Sequence, residues 1–125
     1  MPDGAGGGGD VLLAAGVVAC APRAPGEAVG APARGRLTVV VEDVARADAA
    51  APVLGRAALD VDLGGGRTAA FVVRGAPPPA GARPAVRAHL AVDGSGQVRA
   101  GDWVTTEHVP AARGVRLVLH PVGGG

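Results

Sequence analysis

The sequence predicts an all-β fold, a small antiparallel β-sandwich of about seven short strands, and three observations lead there. Valine is the dominant large apolar residue, and its branched side chain fits a pleated sheet better than a helix. Apolar and polar residues alternate with a period of two in run after run, which turns one face of each run inward and the other outward. The 22 Gly and 11 Pro among 125 residues separate those runs instead of forming one biased tract, so they read as turns.

Taken in order, residues 1–9, MPDGAGGGG, have almost no side chains to offset the entropy of ordering and are expected to be flexible, as is the final GGG at 123–125. The single domain then covers 10–122, a length that suits one core. VLLAAGVVA, 11–19, is counted as the first strand. In RLTVVVEDV, 36–44, Leu37, Val39 and Val41 share one face and Thr38, Val40 and Glu42 the other. The alanine-rich stretch that follows has room for one helical turn at most, because Pro52 and Gly55 oppose more.

RAALDVDL, 56–63, sets Ala57, Leu59, Val61 and Leu63 against Arg56, Ala58, Asp60 and Asp62, and GGG at 64–66 ends it. TAAFVV, 68–73, directs Ala69, Phe71 and Val73 inward, and the consecutive prolines of RGAPPPAGARP cannot supply ladder donors, so that segment is a loop. AVRAHLAVD, 85–93, places Val86, Ala88, Leu90 and Val92 inward; DGSGQVRAGD is a turn; WVTTEHV, 103–109, and VRLVLH, 115–120, complete the set. Seven short strands with no convincing amphipathic helix indicate a sandwich, immunoglobulin-like or transthyretin-like in appearance, or a partly open barrel.

Composition removes several function classes. The 12 basic residues, all Arg, against 11 acidic ones give a net charge of +1, with no basic stripe of the kind a phosphate backbone requires, so nucleic acid is not an expected partner. One cysteine forms no intrachain disulfide. The longest apolar run, residues 11–19, falls well short of the ~20 residues of a spanning helix. The chain lacks Lys, Ile, Asn and Tyr, a residue choice that follows from GC-rich codons.

Candidate chemistry is sparse, and the expectation is a non-enzyme without cofactor. Ser95 lies in DGSGQ, where a nucleophile elbow would need glycine at the positions of Asp93 and Gln97, so Ser95 reads as a turn residue. Cys20 has no patterned histidine partner and reads as a small buried apolar residue. The segment VDGSGQVRAGD resembles a calcium loop with Asp93 at the third position, Ser95 at the fifth and Asp102 at the twelfth. Ala91 at the first position and the lack of a terminal bidentate Glu leave its charge too low. Asp93, Ser95 and Asp102 stand as the metal candidates, against a hairpin turn whose aspartates cap backbone donors.

His89 and His108 fall on neighbouring strands at an unfixed register, and two histidines do not complete a zinc site. Asp43 is expected to order the turn after its strand, with Asp60 and Asp62 on a wet face. Trp103 is read first as core and second as a contact residue, because tryptophan favours binding hot spots.

Two segments resemble a known family. LTVVVEDVARADAAAPVL, 37–54, is similar to the hallmark segment of YbaY/YscW-like domains. RAHLAVDGSGQVRAGDWVTTEHVP, 87–110, is similar to their closing hairpin, and Gly16-Val17-Val18 resembles the Gly-x-Val of their first strand. The pattern departs at Val41, where Leu is commoner, at an extra alanine before Pro52, and at His108-Val109, where a small residue and Tyr are usual. The resemblance implies a β-sandwich found in envelope lipoproteins and in YscW, a pilotin lipoprotein that helps a type III secretin reach its place. GC-rich coding fits a freestanding member of the actinomycete type. The function it implies is a non-catalytic accessory domain with a binding or chaperone-like role toward a protein partner. The alternatives are a calcium-stabilised structural module and an envelope lipoprotein anchored at Cys20.

Val17-Val18-Ala19-Cys20 satisfies a permissive lipobox. The preceding MPDGAGGGGD carries two Asp and no Arg or Lys, where an export signal is positive. Cleavage before Cys20 would also remove the first strand. A retained strand and a cytoplasmic location are therefore expected, with export and lipid anchoring through Cys20 as the alternative.

Overall fold

In a computed structural model of the chain, described over residues 10–22, 33–46, 49–93 and 97–122, eight strands surround one core. They are β1 (Val11–Cys20), β2 (Arg34–Asp43), β3 (Val53–Asp62), β4 (Thr68–Gly75), β5 (Pro84–Ala91), β6 (Trp103–Val104), β7 (Val109–Pro110) and β8 (Val115–Pro121). The ends expected to be flexible, 1–9 and 123–125, lie outside the described residues, as does Ser95. Gly64–Gly66 forms a short 3-10 turn that stops β3, with Gly65 and Gly66 at φ 68° and 81°, a conformation glycine adopts without a Cβ penalty.

The inward sets follow the alternation. Leu37, Val39, Val41, Val73, Val86, Leu90, Leu117 and Leu119 are completely buried, and Phe71 and Trp103 join them. Such a Val/Leu core contributes through area removed from water, about 25 cal/mol per Å2.

The strands do not form two stacked sheets. Their order is β2-β3-β4-β1-β8-β6-β5, and β5 returns to β2 from Arg36↔Ala91 to Asp43↔Pro84, so the sheet closes into a seven-stranded barrel. This corrects the sandwich. β2 is antiparallel to β3 on one side and β5 on the other, so closure leaves β2 no free edge, while the β3–β4 seam is joined only at Gly55↔Gly75. The bend comes from two bulges: register shifts between Leu12 and Ala14 in β1 and between Val41 and Glu42 in the β2–β3 ladder. Beside them, Gly55 of β3 pairs with Gly75 of β4. A Cβ at either glycine would meet the facing backbone and the Leu13 side chain. Bulges and glycines are the usual means of turning a barrel corner.

That single pair is the whole β3–β4 register, and past it Ala57, Leu59 and Val61 are only half-buried.

Two further expectations are corrected. The fold is not wholly antiparallel, because β1 runs parallel to β8 from Gly16↔Val115 to Cys20↔Leu119. Gly16 permits this, since a Cβ there would fall on the Val115 carbonyl, and glycine inside a strand often marks such a close backbone approach. The run 103–109 is not one strand: it breaks after Val104 and resumes at Val109. At the break the Thr105 hydroxyl accepts the Ala88 N–H at 3.0 Å, taking a place a ladder carbonyl would otherwise hold. Val53 and Leu54 open β3, so the strand begins earlier than Arg56, and no α-helix is present among the described residues.

Candidate functional site

The polar side chains with most structure around them sit on the outer face of β2 and β5, on either side of the Thr105–His108 break. Asp102, 1% exposed, is held where the turn after β5 enters β6. Its Oδ1 accepts the Val92 N–H at 3.1 Å, and its Oδ2 accepts the Arg99 N–H at 2.9 Å and the His89 Nε2–H at 2.8 Å. Its own backbone N–H reaches the Arg99 carbonyl at 3.0 Å, and its carbonyl accepts from Val122 at 2.8 Å. Burial pushes this carboxyl up, but the hydrogen bonds from His89 and the two backbone groups outweigh it and leave the pKa below the ordinary value.

The second cluster centres on Glu42, whose Oε1 accepts from Arg87 Nε at 2.9 Å and from His108 Nε2 at 3.1 Å. Glu42 is 7% exposed. Burial again raises the carboxyl and the bonds from Arg87 and His108 lower it further, for a net depression. His108 thereby ties the break in the strand to β2.

These contacts settle where the sequence candidates lie. Asp102 is a structural knot and not an open ligand: both carboxylate oxygens are occupied by donors. Asp93 pairs instead with Arg99 at 3.3 Å. No group of three or more metal-ligating side chains occurs among the described residues; of the calcium-loop candidates, Ser95 lies outside them, and Asp93 and Asp102 are engaged by Arg99 and by backbone donors, as the hairpin-turn reading expects.

His89 and His108 are kept apart by the register, His89 opposite Val104 and Val109 opposite Val86, and each meets a different carboxylate. Asp43 orders the turn after its strand, accepting the Ala45 and Arg83 N–H groups at 2.9 and 3.0 Å. Those two bonds hold its pKa below the ordinary value. Asp60 and Asp62 are surface groups paired with Arg36 and Arg67, contacts worth ~1 kcal/mol or less each.

Trp103 is 4% exposed and belongs to the core cluster, so the contact-residue reading is corrected: a ring facing the barrel interior offers no surface to a partner. Cys20 ends β1 and packs against the same core. The Glu42 cluster escaped sequence reading because its members are 45 and 66 residues apart. Only the unusual position of a carboxylate at the end of a valine run hinted at it. No helix among the described residues is long and apolar enough to cross a membrane.

No family model matches the sequence, and no curated protein does. The chain is similar to a secretion pilotin. The solved structure of an alternative pilotin from the type II secretion system of Vibrio cholerae superposes with a TM-score of 0.68 and 25% sequence identity, covering 92% of this chain and 99% of the pilotin. The likeness to the pilotin thus spans the barrel from end to end and is not confined to one hairpin.

Proposed function

We propose that this chain is a non-catalytic accessory barrel of the YbaY/YscW-like kind, acting by binding another protein in a chaperone-like role. The observation that carries the reading is the near-complete overlap with a type II secretion pilotin at 25% identity. The internal chemistry is consistent with it. Both histidine–carboxylate pairs brace the fold, Asp102 by capping a turn and Glu42 by anchoring the strand break, and among the described residues neither is joined to a nucleophile. A binding role is tested by crosslinking the full chain in the cells that produce it. The reagent must be carboxylate-directed or photoreactive, because the chain has no lysine. A discrete protein adduct is expected; its absence across both chemistries would overturn the role.

We further propose that β1 is retained and that the protein is cytoplasmic. β1 is hydrogen-bonded to β4 on one edge and β8 on the other, so removing residues up to Ala19 would open two strand edges at once. Intact mass measurement of the native protein should give a chain that still carries Val11–Ala19. A product beginning at a lipid-modified Cys20 would replace this reading with the anchored alternative.

A further inference from the structure

Consecutive antiparallel strands joined by a short connection usually pair along their length. β3 and β4 do not. The Gly55↔Gly75 pair sets a register that carries Ala57 opposite Val73, Leu59 opposite Phe71, Val61 opposite Ala69 and Asp62 opposite Thr68, yet the glycine pair alone is bridged. β3 is paired with β2 and β4 with β1 along their other edges. Each strand therefore presents to the seam a row of backbone N–H and C=O groups that meets no strand. Along the same line Ala57, Leu59, Val61 and Ala69 are only half-buried, although they pack against the core. Apolar interior and free backbone lie open together.

Both ends of the seam oppose its closure. At the turn, the Leu63 N–H bonds the Ala33 carbonyl at 2.7 Å, which extends the β2–β3 ladder instead of a β3–β4 one. The Asp62 carboxylate fixes the turn there by accepting the Gly64 N–H at 3.0 Å and Arg67 at 3.2 Å. At the joined end, the first position past the glycines sets Arg56 opposite Arg74, both exposed, and like charges directly opposite are unfavourable. Neither makes an ion pair among the described residues. Other arginines share that lack, but these two face each other across the seam.

We propose that the β3–β4 seam takes up an extended segment of a partner protein, added as a strand along Ala57–Asp62 and Thr68–Val73. The segment alternates apolar residues inward with polar residues outward, and carries Asp or Glu at the end that reaches Arg56 and Arg74. The proposal rests on the protein-binding reading above and names the surface and the partner's chemistry. The free ladder groups select the occupant. An extended chain offers N–H and C=O groups to a strand edge, whereas a helix has bonded its own and an acyl chain has none. The inward side chains of such a segment cover what Leu59 and Val61 leave open. Its acidic end replaces the repulsion between two guanidiniums with charge-assisted hydrogen bonds.

Hydrogen exchange of the full chain tests the seam first. Seam-facing amides of residues 56–62 and 68–74 should exchange about 100-fold or more faster than amides of the same strands that face β2 and β1; equal protection would overturn the proposal. A photo-crosslinking amino acid is then placed at Ala58, at Val72 and, as a control in the exposed turn before β8, at Arg113, each in the full chain within the producing cells. Ala58 and Val72 flank the seam from opposite sides and are both exposed. Adducts are expected from both and not from Arg113, with the attached peptide, sequenced by mass spectrometry, showing a period of two and an acid at one end. Arg56→Glu, which supplies a carboxylate to Arg74 from within the chain, should lower the adduct yield about fivefold or more without lowering the melting temperature. An unchanged yield would overturn the acidic end. Adducts from Val72 without Ala58, or a captured peptide of helical period, would overturn strand addition, and adducts to lipid or to a second copy would overturn the occupant. Adducts from Arg113 alone would overturn the seam and leave protein binding standing, whereas none from any position would count against the binding role itself.

Discussion

Gly16→Ala is expected to destabilise the protein by about 4 kcal/mol, a large part of the ~5–15 kcal/mol of a typical domain. The added Cβ would fall on the Val115 carbonyl, and neither strand can retreat. β1 is also held by β4, and β8 is held by β6 as well. Relief therefore requires losing part of the parallel ladder from Gly16 to Cys20. Gly114→Ala is the control. Gly114 has φ of 75° with nothing within 4 Å of an added Cβ, so its cost is conformational only, ~1 kcal/mol. Thermal melts followed by circular dichroism should drop by about 15 °C or more for Gly16→Ala and only a few degrees for the control. Equal drops would mean that the close β1–β8 approach is not what demands glycine at position 16.

Asp102→Ala is expected to cost about 3–5 kcal/mol, because it strands the Val92 and Arg99 N–H groups and the His89 ring donor beside a buried cavity. Asp102→Asn keeps the shape and one acceptor oxygen, and should cost about 2 kcal/mol. The two variants also carry a pH signature whose sign follows from the depressed carboxyl. A folded-state pKa below the unfolded one means that the charged form stabilises the fold. That contribution is complete above the unfolded value, near pH 4, and is lost as pH falls through the lower folded value. The stability gap between native protein and Asp102→Asn should therefore be widest at pH 7 and shrink in urea titrations at pH 3 and below. Glu42 and Asp43, depressed in the same direction, make the native protein itself less stable in acid. A gap that stays constant from pH 7 to pH 3 would show that Asp102 acts by shape alone.

Much of the barrel was legible from local pattern. The inward residues of β2, β4 and β5 were identified one by one from alternation, since a side-chain period of two is a property of the strand itself. The turn at Asp43 was legible for the same reason: a carboxylate that accepts N–H groups just beyond its own strand works over a few residues. The similarity to secretion-associated domains also began in short segments, 37–54 and 87–110, and the pilotin likeness extends over 92% of the chain.

What stayed hidden depends on partners distant in sequence. The apolar run VLLAAGVVAC invited comparison with an export signal because neither of its faces is polar. In the structure it is a strand with the core on one side and the apolar outer face on the other. Trp103 could be weighed but not placed, since its burial depends on β6 lying between β5 and β8.

Most strand and turn positions and the inward residues of β2, β4 and β5 were determined by the sequence alone, because backbone propensity and hydrophobic alternation act within a few residues. Tertiary structure decided three things: closure into a barrel, the parallel β1–β8 pairing, and the assignment of His89 to Asp102 and His108 to Glu42. Each depends on bulges, register and desolvation that arise only when segments tens of residues apart come into contact.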